Sequence, residues 1–288
     1  MVAILRRIFG IIFSVKFIMG TLGNGFIALM NIIDWVKGRK ISSVDQILTA
    51  LAISRITLIW LVFIDWWVFV FYPSLQMTGK LLSTYFISWT VMNHCNFWLT
   101  TSLSIFYFLK IGNFSNFFFL YLKFRVKNVV LITLLVSLFI LFLNIVLVII
   151  YSDMCVDDDQ RNVSHTTRLS EYAQICKLLS FTNPMFLLVP FVMALATFLF
   201  LIFSLWRHLK SMQHTAKTHI RALQTVIVSV LFYTIFFLSF FFVVKVWSSG
   251  SQERFLIFLS VWALGNAVLS AHPFVLIWGN SRLMWASL

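Results

Sequence analysis

The stretch Asn128–Tyr151 reads NVVLITLLVSLFILFLNIVLVIIY and holds no charged residue. A helix of about 20 apolar residues spans the hydrocarbon core of a bilayer, so this segment alone points to a membrane protein. Outward from it, Leu81–Leu109, Leu178–Trp206, Ala222–Val244 and Phe255–Ser281 are likewise uncharged, the first with one histidine. Two earlier stretches are less pure: Ile8–Ile33 holds Lys16, and Ile47–Phe71 holds Arg55 and Asp65. The sequence predicts an all-α bundle of seven transmembrane helices near 8–33, 47–71, 81–109, 128–151, 178–206, 222–247 and 255–278. They fill residues 1–288 as a single domain. With 61% hydrophobic and 11% charged residues, the composition lies far from that of a soluble domain.

Lysine and arginine in the connections set the orientation. One set of loops carries twelve cations, from Lys37, Arg39 and Lys40 through Lys123 and Arg207 to Arg282, against only Asp34 and Asp45. The other set balances eight cations with six acids. The first set is expected in the cytosol and the amino terminus outside, with Arg6 and Arg7 as a local conflict. The net charge of +13 does not imply nucleic-acid binding, because the cations sit in short loops at one membrane face, where anionic lipid attracts them. The first apolar stretch outruns a signal-peptide core and is expected to stay as helix one.

The long outer loop, Ser152–Lys177, contains the sequon Asn162-Val163-Ser164, an acceptor for an N-glycan on the lumenal side. The sequon at Asn113 falls in a cytosolic loop and is expected to stay bare. Cys155 and Cys176 flank the outer loop, and the spacing suits a disulfide or two free thiols equally. Asp153 and Asp157–Asp159 lack the ligand alternation of a calcium loop, so no metal or cofactor is expected.

Polar groups inside the spans are costly and normally face the bundle interior. On helix three, Trp89, Asn93, Asn96, Thr100 and Ser104 recur every three or four residues and share one face. For Thr100 and Ser104 the expectation is hydrogen bonding between helices. For Trp89 and Asn93, nearer the outer end, it is a cavity. Asp65 lies about 9 Å down helix two at helical rise, level with Trp66, Trp67 and the phenylalanines Phe236 and Phe240 of helix six. Together these sketch an aromatic, outward-opening pocket for a small molecule. Asp65 is free to orient a ligand, to pair with Lys245 or to be protonated. Asn24, Arg55 and Ser270 lie deeper, at one level, and are expected to couple helices one, two and seven, with switching as the sharper role. His272 is expected to be packed and hydrogen-bonded.

The runs Gly23-Asn24-Gly25-Phe26-Ile27, Leu51-Ala52-Ile53-Ser54-Arg55, Leu103 to Ile111, Ser204-Leu205-Trp206-Arg207-His208 and Leu276-Ile277-Trp278-Gly279-Asn280 occur in that order. With them the whole chain resembles the type 2 bitter taste receptors. The resemblance implies a G-protein-coupled receptor of the plasma membrane for small bitter compounds, partnered by a gustducin-type heterotrimeric G protein. It implies ligand contacts at Trp89 and Asn93, and pocket positions at Trp66, His94, Phe186, Phe236 and Phe240. It further implies a glycan at Asn162 and G-protein-facing positions at Tyr107, Lys110, His208 and His214.

Departures accompany the match. Lys16 stands where these receptors usually carry an acid, and the helix-seven element Leu269-Ser270-Ala271-His272-Pro273 shifts its proline by a turn. Little chain follows Gly279-Asn280 for a cytosolic helix, and ligand binding is expected to survive better than signalling. A transporter or channel is the alternative class, but Arg55 and Asp65 are too few and too far apart in depth for an ion path. Catalysis is not expected, because His94 and His272 sit at different depths without a carboxylate beside either.

Overall fold

A computed structural model of the chain describes residues 2–71, 79–112, 114–160, 185–207, 216–247 and 254–287. Its long elements are helices α1 (Val2–Val36), α2 (Ser43–Phe71) and α3 (Gly79–Ile111), then α5 (Val126–Gln160) after the short α4 (Phe117–Phe124). They continue with α6 (Met185–Arg207), α7 (Ala216–Trp247), α8 (Arg254–Gly279) and the short α9 (Ser281–Ser287). Among the described residues there is no strand. By length and apolar composition, α1, α2, α5, α6 and α8 each suffice to cross a membrane. α3 differs because its inner half is built from Asn96, Thr100, Thr101, Ser102 and Ser104, all buried.

Burial follows helical period. On α2, Leu48, Leu51, Arg55, Leu58, Val62 and Trp66 are buried, while Ile53, Trp60, Ile64 and Trp67 face outward. α5 shows why such a surface belongs in lipid. Its outer face carries exposed Leu131, Leu135, Leu138, Phe139 and Phe142, whereas Thr133, Ser137 and Asn144 are buried. A helix whose polar side faces its protein neighbours and whose apolar side faces out is stable against acyl chains, not against water.

α3 lies between α2 and α5, α1 packs on α2 and α8, and α7 packs on α8. α6 joins the core through Leu187, Phe191, Ala194 and Phe198, which meet Phe97 of α3 and Tyr233, Phe236 and Phe237 of α7. Small residues set the α1 contact. A Cβ on Gly20 would lie 2.6 Å from Ile59 Cδ1 and 2.7 Å from Ser270 Oγ, so α1 approaches α2 and α8 backbone-close there.

Several boundaries differ from the sequence expectation. α2 starts at Ser43 rather than residue 47, because Ser42 and Asp45 form a capping box: Asp45 N donates to Ser42 Oγ (3.2 Å) and Ser42 N to Asp45 Oδ2 (3.3 Å). α5 runs to Gln160, nine residues past the expected 151, so the outer loop begins later than Ser152. The apolar run ends near Tyr151, but a hydrogen-bonded ladder has no need to stop where hydropathy falls. α4 and α9 were not expected. Asn116 caps α4 by accepting from Phe118 N at 3.0 Å, and Asn280 caps α9 by accepting from Arg282 N at 3.1 Å. Between α1 and α2 the chain turns at Gly38, whose φ of +69° suits glycine.

Candidate functional site

α3 brings part of the expected set together, with Trp89 reaching the clusters of Phe236 and of Trp66. Trp89 is half-buried and packs against two apolar clusters, one containing Phe97 and Phe236, the other Phe13, Val62 and Trp66. Tyr85, one turn earlier, stacks over Trp89 with ring centroids 6.1 Å apart. The Tyr85 hydroxyl donates to Asp65, so the carboxylate of α2 is held by α3. Trp66 is buried and stacks on Phe13 of α1 at 4.8 Å. Asn93 Nδ2 donates to Trp89 O at 2.8 Å, while its Oδ1 is buried without a partner among the described residues. An acceptor left open beside an indole can take a donor from a ligand.

The remaining expected positions are distributed unevenly. Phe236 is buried against Phe97, with centroids 5.3 Å apart, and Phe186 is half-buried on α6. The Phe240 side chain lies outside the described residues. His94 turns from this group toward α5, where its Nε2 lies 2.8 Å from Ser137 O. Because a carbonyl only accepts, Nε2 carries the proton in this arrangement.

Deeper in the bundle, Arg55 is buried and forms a polar knot. Its Nε donates to Asn96 Oδ1 (3.0 Å), Nη1 lies 2.7 Å from His272 Nδ1, and Nη2 lies 3.5 Å from Thr100 Oγ1. A guanidinium has no lone pair to offer, so His272 Nδ1 is the acceptor. Arg55 therefore couples α2 to α3 and α8, not to α1 as expected from depth. α1 joins α8 separately: Asn24 Nδ2 donates to Leu269 O (3.3 Å), and Ser270 Oγ donates to Lys16 O (2.9 Å). Thr101 and Ser104 bind α3 to α6 through Pro190 O (2.9 Å) and Thr197 Oγ1 (2.8 Å). Ser104 thus bonds between helices as expected.

Two crevices open on these groups. One, about 240 Å³ with its open mouth, is lined by Arg55, Asn96, Thr100, Tyr233, Phe236 and His272. The other, about 250 Å³, lies between α1, α2 and α8. Most of that space is open to the outside, and the room for a guest in either is about 10 Å³, one water molecule, far below the roughly 300–1,000 Å³ of typical small-molecule sites.

At the basic end, Tyr107 packs against the apolar cluster of Leu48, Leu51 and Leu103. Lys110 is exposed, with its ammonium 5.5 Å from the Phe106 ring centroid. Arg282 of α9 bridges the ends of α1 and α2. Its Nη1 pairs with Asp34 (2.8 Å) and its Nη2 with Asp45 (3.0 Å) and Asn31. Asp34 also takes Arg39 at 2.9 Å. Sequence reasoning missed this clamp, although Asp34 and Asp45 are the only acids in the basic loops and therefore signalled it. Tyr85 was missed too, although it precedes Trp89 by four residues on the same face. His208, His214, Asn162 and Cys176 lie outside the described residues, as does the Cys155 side chain.

The fold defines a multi-pass helical membrane protein with a polar, aromatic interior. A model of the TAS2R taste receptor proteins matches residues 1–288. Taste receptor type 2 member 113 of Rattus norvegicus is 69% identical over 100% of this chain and 95% of its own length, and that of Mus musculus has the same figures. Taste receptor type 2 member 14 of Homo sapiens is 50% identical over 99% of this chain and 91% of its own length. The chain belongs to the TAS2R taste receptor family.

Proposed function

We propose that this chain is a bitter taste receptor of the plasma membrane, with seven spans and the amino terminus outside. It binds small, mostly apolar compounds on the outer side of the bundle and activates a gustducin-type heterotrimeric G protein. The observation that carries this reading is the family match over residues 1–288. The open Asn93 acceptor beside Trp89 supports the placement of the pocket. Trp89, Asn93, Trp66, Phe186, Phe236, Phe240 and His94 form or back that pocket, and Asp65 with Tyr85 orients the ligand. Arg55, Asn24, Ser270 and His272 hold the helices whose relative movement switches the receptor. Tyr107, Lys110, His208 and His214 face the G protein, and Asn162 carries the glycan.

The test is a calcium response in cells that co-express the chain with a gustducin-type Gα, screened against a bitter panel with surface display measured in parallel. Agonist-dependent responses that fall at least tenfold in Trp89→Ala and Asn93→Ala, at equal surface display, support the reading. Solute flux without any G-protein dependence overturns it. Asp65→Ala is expected to weaken basic agonists more than neutral ones, and an equal loss for both removes Asp65 from ligand recognition. Signalling weaker than binding would bear out the departures around Pro273.

A further inference from the structure

We propose that α4, with Arg125 and Lys127 just beyond its C-terminal end, is a docking surface for acidic phospholipid, its aromatic stripe among the acyl chains and its cations on the headgroup. Phe117, Leu120, Tyr121 and Phe124 recur at i, i+3, i+4 and i+7 and share one face. All four are exposed, Phe117 by 83% and Phe124 by 87%. The opposite face is already used: Phe119 is buried and meets Phe108 and Phe114, with ring centroids 5.3 and 5.2 Å apart. A helix that is apolar on both sides is not stable with one side in water, so the outward stripe needs a cover.

Continuity and charge both point to lipid as that cover. α5 starts one residue after α4 and exposes Leu131, Leu135 and Leu138 along its outer face. On the other side, Phe108 meets Phe200 of α6 at 5.9 Å, and Phe200 is itself exposed. The stripe thus lies between two spans whose outward faces are apolar. From Lys110 to Lys127 the chain carries four cations and no acid, and among the described residues none of the four forms an ion pair. Lys123 Nζ donates to Gly112 O at 2.8 Å and ties α4 to the end of α3. Arg125 and Lys127 are exposed. The Arg125 guanidinium stands 4.8 Å from the Tyr121 ring centroid, which sets it on the edge of the stripe and leaves N–H groups for phosphate or carboxylate oxygens. The first turn of α5 holds no acid, so the positive end of its backbone dipole adds to these cations. An aromatic stripe edged by cations suits the boundary between acyl chains and acidic headgroups. This goes beyond a general attraction of basic loops for anionic lipid, because it assigns the headgroup to one element.

The experiment reconstitutes the purified full chain in a zwitterionic bilayer with a trace of spin-labelled phosphatidylserine or phosphatidylcholine, and electron spin resonance reads the motionally restricted fraction of each. The wild-type chain is expected to favour phosphatidylserine about fivefold, the order of one basic side chain at an acidic headgroup. Arg125→Gln with Lys127→Gln should remove most of that preference. Lys37→Gln with Lys40→Gln takes the same charge from the exposed turn between α1 and α2 and should leave it intact. Phe117→Ser with Phe124→Ser removes no charge and should also lower the preference, because the stripe holds the lipid beside the cations. Thermal unfolding in the same bilayer checks that each variant is folded. Equal restriction of the two probes by the wild-type chain overturns the proposal without reference to any variant. Equal loss in the two lysine and arginine pairs overturns it as well, since the attraction would then be spread over the whole basic end. A preference untouched in the folded phenylalanine variant would hand the stripe to a protein partner and overturn the assignment to lipid. No G protein or agonist enters the measurement and both leaflets carry the probe, so its outcome stands apart from the receptor reading and from the orientation of the chain.

Discussion

Arg55 in the middle of the bundle and Arg282 at its basic end both bind side chains on two other helices, yet they do it by opposite chemistry. Arg55 is 4% exposed and is held by neutral groups, Asn96, Thr100 and His272. The Arg282 side chain is 40% exposed and is held by two carboxylates and an amide. In the interior, a fork of directed N–H groups meets fixed acceptors, so geometry decides the energy. At the end, charge meets charge with water nearby, so Coulomb attraction is screened and geometry matters less. The bundle is pinned by direction at its centre and by charge at its rim.

The largest effect is expected where direction is removed and charge is kept. Arg55→Lys leaves a buried cation but loses the planar fork that reaches Asn96 and His272 together. It should cost about 3 kcal/mol, since each buried acceptor left open costs about 1–3 kcal/mol. Arg55→Met removes the charge with the bonds and should cost less, about 2 kcal/mol, because an apolar group relieves the desolvation penalty. Thermal unfolding of both variants in one detergent decides the point. If Lys is tolerated better than Met, the interior is governed by charge after all and the contrast with Arg282 fails.

Close approach is the other geometric constraint of the centre. Gly20→Ala places a methyl 2.7 Å from Ser270 Oγ and 2.6 Å from Ile59 Cδ1, beside the Ser270–Lys16 bond. Forcing α1 away from α2 and α8 should cost about 2 kcal/mol. Gly25, with nothing within 4 Å of a built Cβ, should accept alanine without loss. A melting-temperature comparison of the two variants checks it, and equal behaviour would remove backbone approach from the account of the centre.

How far this was legible in sequence depends on which coordinate of a residue the pattern encodes. Hydropathy encodes depth, so the uncharged run of Asn128–Tyr151 and the polar stripe of α3 were readable. Period encodes which side of a helix faces inward, so Leu51, Arg55 and Leu58 on one buried face were readable as well. Neither encodes which neighbour that face meets. Arg55 was grouped with Asn24 and Ser270 by depth, but its side chain leaves α2 toward α3 and His272. Only the packing of α2 between α1 and α3 settles that direction. The short α4 and α9 were invisible for another reason: each is too brief for a period, and each is marked only by a cap, Asn116 or Asn280. The aromatics around Trp89 were readable as a list, but the acceptor on Asn93 left open among the described residues arises from a rotamer, which no spacing reveals.

At the rim, Arg282→Ala cuts the contacts of α9 to Asp34, Asp45 and Asn31 together. Its expected cost is about 1 kcal/mol after discounting for the partly exposed guanidinium. The signature that separates it from Arg55 is salt. Raising ionic strength from 0.1 to 1 M shortens the Debye length from about 10 to about 3 Å, so the wild-type advantage over Arg282→Ala should shrink. The wild-type advantage over Arg55→Met should not change. Parallel salt dependence in unfolding experiments would mean that both arginines act through charge.

The smallest effect sharpens the comparison most, because it tests whether the rim works as a network. The Arg39 side chain is 70% exposed, while the Asp34 side chain it pairs with is only 8% exposed. With Arg282 in place, Arg39→Ala leaves Asp34 one cation, and the expected loss is at most about 0.5 kcal/mol. With Arg282 already replaced by alanine, the same change leaves a nearly buried carboxylate with no cation among the described residues. The double variant should therefore lose more than the two single variants together, by about 1 kcal/mol. That excess is the energy of redundancy at Asp34, which a directional contact such as Arg55 with His272 lacks, since no second donor to His272 Nδ1 stands ready among the described residues. Strict additivity in the cycle would show that Arg39 and Arg282 serve Asp34 independently, and the basic end would then be a set of separate surface pairs rather than one clamp.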